Sequence, residues 1–406
     1  MKRREIIKRL SMAPLAGGLL VSAPLESFSA SPLSPKRDLF KELGLRTFIN
    51  AAGNYTSMTA SLMPADVMEA IQSASKEYVM LEEVQDKVGQ KIAALCKAEA
   101  AMVTAGCWSA LVLGTAGVLT GTDSKKVAQL PKLEGTGMKS EVIIQKTHIN
   151  GYHHALTNTG VSIIAVETFE EAESAINDKT AMMWFLNREA PFGQIQHQPW
   201  LDLARKHHIP TMIDMAADVP PVENLWKYNL MGFDLVCISG GKAICGPQSA
   251  GIRKGKKELI AAARLNGPPG GGNIGRGMKV NKEEMIGMYV ALDSYIKRDH
   301  EQDWKIWEGR IKVVKDALKN IQGVTTEVIV PPVANHTPSL EISWDKEKVN
   351  VTRDQFGERL RKGTPSIEVI AWEKEYSTRI TVFMLKDGQE KIVAKRIQEE
   401  LLKASA

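Results

Sequence analysis

Asp234-Leu-Val-Cys-Ile-Ser-Gly-Gly-Lys-Ala-Ile-Cys-Gly-Pro-Gln-Ser-Ala-Gly251 is the stretch from which the rest of the chain can be read. The apolar run from Asp234 to Ser239 passes directly into a glycine pair, and Lys242 follows just past its end. A short apolar run of this kind, bounded by glycine, reads as a buried strand. Lysine at such a strand end is poorly placed for core packing, and the flanking glycines let a ligand approach the backbone. Upstream, the run Pro210-Thr-Met-Ile-Asp214 ends in a carboxylate 28 residues before Lys242, about the length of one strand–crossover–strand unit. The two side chains are therefore expected at one edge of a sheet.

Working outward, further runs alternate with helical-looking segments between about residues 100 and 255. They are Ala100–Thr104, Glu141–Gln145, Val161–Val166 and Ala181–Leu186. Continuous apolar strands separated by helices predict an α/β fold, with a mostly parallel sheet covered on both faces and ligands at the carboxyl ends of the strands. Beyond Gly255 come a helix from Lys257 to Arg264, the loop Gly267–Gly275 and a long helical region from about Lys282 to Ile321. Strands near 327–331, 339–344, 367–372 and 379–385, with helices near 352–362 and 389–402, predict a smaller C-terminal α+β domain. The expected organisation is an export signal over 1–30, a large ligand-binding domain with an N-terminal arm over 31–290, and the small domain over 291–406.

A lysine and a carboxylate at one sheet edge suit pyridoxal 5′-phosphate. The amine can join the cofactor's aldehyde carbon, and an acid facing the pyridine nitrogen keeps it protonated, so the ring accepts electrons when a bond at the substrate Cα breaks. Such a cofactor needs a phosphate anchor. The strand Ala100–Thr104 runs into Ala105-Gly106-Cys107-Trp108-Ser109, with a helix expected from Ala110. A helix N-terminus after a glycine turn offers free N–H groups and a positive dipole end, to which Ser109 adds a hydroxyl. The alternative for Ser109 is a plain helix cap. His148, just past Glu141–Lys146, is placed to cover the cofactor ring, with His153 and His154 as rivals.

These segments resemble the fold-type I pyridoxal-phosphate enzymes, in the branch of selenocysteine synthase and D-glucosaminate-6-phosphate ammonia-lyase. The resemblance runs through Leu43–Gly53, Asp214–Leu225, Ser239–Gln248 and Ile274–Glu284. It implies a seven-stranded-type, mostly parallel sheet in the large domain and a homodimer or higher homo-oligomer. It also implies that Lys242 is the Schiff-base lysine and Asp214 the pyridinium partner, with Ser239 beside them. Gly106 to Ser109 match the family's phosphate turn in place, although Trp108 is bulkier than usual there. Arg276 and Lys279 match a basic element that comes near a neighbouring subunit's site. Arg379 matches a small-domain position that grips the substrate carboxylate in a fork, a structural salt bridge being its other reading.

Composition narrows the partners. The chain has 406 residues, 44% hydrophobic and 24% charged, as in an ordinary globular protein. Five basic and two acidic residues in the first thirty account for +3 of its formal charge of +5, leaving no dense basic patch elsewhere. Nucleic acid is not an expected partner, which sets a tRNA substrate aside. Residues 1–30 read as an export signal whose apolar part, broken by Pro14 and Pro24, is too short to span a membrane. Arg3-Arg4 followed by Glu5-Ile6-Ile7-Lys8 resembles the twin-arginine signal, which exports folded proteins to the periplasm; an ordinary secretory signal is the alternative. Cys96, Cys107, Cys237 and Cys245 lack regular spacing and read as unpaired thiols, and the His pairs at 153–154 and 207–208 lack metal-site spacing.

The resulting expectation is an enzyme, a lyase eliminating across Cα and Cβ of an unphosphorylated hydroxy amino acid or amino-sugar acid to give ammonia and a 2-oxo acid. A racemase, transferase or aldolase uses the same residues, and a non-catalytic exported binding module is the reading from another class.

Overall fold

A computed structural model describes residues 37–371 and 374–405. The export signal expected over 1–30 lies outside the described residues. Two compact units are present, one ending at Thr47 and one spanning Phe48–Ala406. Within the first, Leu39–Glu42 forms one helical turn capped by Asp38, whose carboxylate accepts from the Lys41 amide.

The second unit is built on a seven-stranded sheet. Its strands, after the short β1 (Ile49–Asn50), are β2 (Ala100–Thr104), β3 (Glu141–Gln145), β4 (Ser162–Val166), β5 (Thr180–Leu186), β6 (Thr211–Asp214), β7 (Leu235–Ser239) and β8 (Gly251–Gly255). Their spatial order is β2-β8-β7-β6-β5-β3-β4. The pairings from β7 to β4 are parallel, and β8 runs antiparallel to both its neighbours, β2 and β7. Successive residues on each strand point to opposite faces, and both faces are apolar. Ile143, Phe185, Ile213 and Val236 enter one core, and Val142, Trp184, Met212 and Leu235 enter the other. A sheet buried on both sides explains why the strands read as unbroken apolar runs.

The C-terminal domain holds a four-stranded sheet of order β12-β13-β10-β9. These strands are β9 (Val324–Ile329), β10 (Ser339–Trp344), β12 (Ile370–Ala371) and β13 (Ser377–Thr381), while β11 (Ile367–Glu368) pairs with β1. Two expectations about the division shift. The helical region expected from about Lys282 to Ile321 consists of two helices, Lys282–Lys297 and His300–Leu318, and the boundary placed at 290 falls inside the first. Buried side chains of that helix through Tyr295 belong to the large core. Ile49 and Ala51, from the arm assigned to the large domain, instead pack into the C-terminal core with Leu340, Ile367 and Ile380.

Candidate active site

Parallel pairing aligns the carboxyl ends of β6 and β7, with Asp214 beside Cys237, so the chain leaves both strands toward the same edge. At that edge lies a cavity of about 400 Å³ whose wall includes Asp214, Ser239 and Lys242. Gly106, Cys107 and Trp108 line it as well. The expected lysine, acid and anion anchor thus converge on one space.

The loop carrying Lys242 is held tightly. Ser61 Oγ donates to the Lys242 carbonyl at 2.6 Å, and the Ser61 amide donates to the Gly241 carbonyl at 3.0 Å. A Cβ on Gly241 would lie 2.5 Å from Gln248 Cα, and one on Gly240 would collide with Met288 and the Ala250 carbonyl. The glycines beside the lysine therefore serve close packing of the loop on itself and on the helix Lys282–Lys297.

Asp214 is almost wholly buried. Its Oδ1 accepts from the Ala216 amide at 2.9 Å and lies 3.6 Å from Cys107 Sγ. Burial raises its pKa, while the Ala216 amide, the Lys242 charge and the Cys107 thiol pull it down. A cationic heterocycle in the cavity would complete this acid's partners.

The helix expected from Ala110 begins at Gly106 and runs to Thr120. Gly106 has φ +76°, which glycine adopts without strain. No N-cap side chain bonds to the helix start, whose first N–H groups have no intrahelical partners, and Gly106, Cys107 and Trp108 of this first turn line the cavity. The early start displaces Ser109 into the helix body, where it is buried and off the cavity wall. Gly106, Cys107 and Trp108, by contrast, line the cavity. A Cβ on Gly251 at the start of β8 would meet the Gly106 carbonyl carbon at 2.5 Å, so this helix start depends on two glycines in contact.

Two expectations change. His148 does not cover the cavity; it is fully buried, its ring edge-on to Phe185 at 4.5 Å and its Nδ1 accepting from the Leu186 amide at 3.2 Å. Burial lowers its pKa to about 4, so it is a neutral core histidine, and the aromatic reaching the cavity from this segment is Tyr152. Arg379 is off the wall and its Nη2 donates to Glu341 Oε2 at 3.1 Å, directly across the β13–β10 pair. Arg276 and Lys279 are exposed and away from this chain's cavity.

Several lining residues carried no motif. Tyr55 comes from the segment before the first long helix, Arg188 follows β5, and Asp218 lies four residues past Asp214. Asp218 is buried, and its Oδ1 accepts from Asn187 Nδ2 at 3.1 Å; Asn187 Oδ1 in turn pairs with His197 Nε2 at 2.7 Å. Burial, reinforced by the Asp214 charge, raises the Asp218 pKa to about 7. All four cysteines are unpaired, three of them buried. Among the described residues there is no cluster able to hold a metal ion, and no helix is long and apolar enough to cross a membrane.

The chain is similar to known proteins in sequence and in fold. The chain is 25% identical over 378 residues to D-glucosaminate-6-phosphate ammonia lyase of Salmonella typhimurium, covering 89% of this chain and 97% of that one. It is 27% identical over 227 residues to L-seryl-tRNA(Sec) selenium transferase of Aquifex aeolicus, about 48% of each chain. A solved structure of D-glucosaminate-6-phosphate ammonia-lyase superposes with TM-score 0.78 at 23% identity, over 92% of this chain and all of that one. The family model described as aminotransferase class-V matches residues 57–285, the stretch that supplies Lys242, Asp214 and the helix start at Gly106, and the chain belongs to that family.

Proposed function

We propose that the chain is a pyridoxal-phosphate-dependent lyase acting on an unphosphorylated 2-amino-3-hydroxy acid or amino-sugar acid. Members of its family use this cofactor, and the residues on the cavity fit it. Lys242 would hold the aldehyde carbon, Asp214 the ring nitrogen, and the open amides of Gly106, Cys107 and Trp108 the phosphate. The bound ring supplies a sink for the electron pair left when the substrate Cα–H bond breaks.

The chain's own groups do the rest. With the cofactor bound, the Lys242 amine would be the base that takes the substrate Cα proton. Asp214, buried and fixed by the Ala216 amide, keeps the ring nitrogen protonated in a site of low polarity. The Cβ hydroxyl leaves with a proton as water, one water is returned on hydrolysis, and the net products are ammonia and a 2-oxo acid. Reprotonation at Cα instead of loss of the hydroxyl gives racemisation with the same residues, and transfer of a new group to Cβ gives the transferase outcome.

One observation carries the reading: Lys242 and Asp214, from separate strand ends, line a single cavity. Borohydride treatment of purified protein is expected to fix a pyridoxyl mass on the peptide containing Lys242, and a colourless protein that cannot be reconstituted would favour a binding module. Incubation with candidate amino acids, assayed for ammonia and 2-oxo acid against change in optical rotation, separates elimination from racemisation. Residues 1–30 support a periplasmic location reached by the twin-arginine route, tested by fractionating cells with and without Arg3 and Arg4. Arg276 and Lys279 are assigned to a neighbouring subunit's site in a homo-oligomer, tested by its mass in solution and by mixing subunits altered at these positions with subunits altered at Lys242.

A further inference from the structure

We infer that Arg188, with Tyr55 on the same cavity wall, is the anchor for the substrate carboxylate, the role expected of Arg379. This assignment rests on the reading of the cavity as a pyridoxal-phosphate site. An amino acid held at Lys242 presents its carboxylate on the same carbon as its amine, so the site needs a second cation within the cavity. Among the described residues that line it, the cations are Lys242 and Arg188. With Lys242 committed to the cofactor and then to the Cα proton, Arg188 remains.

The surroundings of the two arginines differ in the way this role requires. Arg379 is largely buried against Glu341, which is itself largely buried and also meets Lys374 Nζ at 3.6 Å. Releasing its guanidinium to a ligand would strand that carboxylate in a place water reaches poorly. Arg188 keeps 60% of its side chain exposed, and Glu189 is the one carboxylate found within 4 Å of it among the described residues, at 3.0 Å from Nε. An Nε–carboxylate contact orients the guanidinium while its Nη groups stay available for a fork. Asn187, the residue before Arg188, is fixed by its bonds to Asp218, Tyr228 and His197, which anchors the backbone from which Arg188 extends.

Tyr55 completes the pair. It lines the same cavity as Arg188, and burial raises its pKa against the lowering charges of Arg379 and Arg188, so the protonated phenol is available as a donor. A guanidinium and a phenol O–H converging on one carboxylate give two charge-assisted hydrogen bonds.

Glycine, D-serine and L-serine, each compared with its amide, test this on the full holoenzyme. The amide keeps the amine that exchanges at Lys242 and lacks the negative charge. Half-saturation is read from the absorption change of the bound cofactor, which requires no turnover. Wild type is expected to favour at least one acid over its amide. Arg188→Ala should raise that acid's half-saturation at least tenfold and the amide's less than twofold; Arg188→Lys should fall between, and Tyr55→Phe should give a smaller selective loss. Equal effects of Arg188→Ala on acid and amide, or no effect on either, would overturn the assignment. So would loss of the acid preference in Arg379→Ala but not in Arg188→Ala, or a wild type indifferent to the carboxylate in all three pairs. Absence of a borohydride-fixed adduct at Lys242 would instead refute the cofactor reading, and the anchor with it.

Discussion

Asp218→Asn is expected to stabilise the cofactor-free protein, and to do so increasingly as the pH rises. The asparagine keeps an oxygen to accept from Asn187 Nδ2 and removes the charge. In the folded chain, burial and the Asp214 carboxylate lift the Asp218 pKa from 3.8 to about 7, against the partial relief given by Asn187, Lys242 and the Ala334 amide. An acid whose folded pKa is raised holds its proton more tightly when folded. Its cost to stability is therefore absent below pH 3.8, grows through the window between the two values and is complete above about 7. A gap of roughly three pH units at about 1.4 kcal/mol each makes the full cost about 4 kcal/mol, of which about 2 kcal/mol is already present at pH 5. The advantage of the asparagine variant over wild type should thus widen by about 2–3 kcal/mol between pH 5 and pH 8. Urea unfolding followed by circular dichroism at both pH values measures it. A difference between the two proteins that stays constant within about 0.5 kcal/mol would refute the account, because Asp218 would then titrate alike in the folded and unfolded chain.

Arg379→Ala leaves the Glu341 carboxylate largely buried with Lys374 as its remaining ion-pair partner, and should cost about 1–3 kcal/mol in urea unfolding. Gly251→Ala places a methyl group 2.5 Å from the Gly106 carbonyl carbon and 2.8 Å from the Cys107 amide, backbone atoms with little room to move. Cofactor affinity, measured by fluorescence titration of the cofactor-free protein, should fall at least tenfold. Gly309→Ala, a helix position with open space around it, should leave affinity unchanged and add roughly 0.5–1 kcal/mol of stability.

What could be read from the sequence follows how locally each feature is encoded. Lys242 and Asp214 stand out because each ends an apolar strand, and a buried parallel sheet writes such strands as uninterrupted runs. The start of the helix at Gly106 was set four residues late, since Cys107, Trp108 and Ser109 are weak helix signals that tertiary burial overrides. β8 was missed because Arg253 and Lys254 interrupt it with charge, although both side chains are fully buried. Arg188 and Tyr55 reach the cavity from chain segments without motif or periodicity, and Asp218, although inside the resembling stretch Asp214–Leu225, has no local signal of its own, so their convergence exists only in three dimensions. His148 illustrates the converse. A histidine just past a strand end has the same local pattern whether its ring faces a ligand or the core, and Phe185 and the Leu186 amide decided the matter.

β8 also has a mechanical meaning. It leaves the lysine loop, hydrogen-bonds on one side to the strand that enters that loop and on the other to the strand that leads into the helix at Gly106. The spacing between Lys242 and the helix start at Gly106 is thereby tied to ladder register. One residue inserted between Ala243 and Ala250 would slide that ladder by a step and turn Arg253 and Lys254 to opposite faces. Length variation in this family member should therefore collect in the outer connections, while the segment from Lys242 to Gly251 keeps a fixed count of residues.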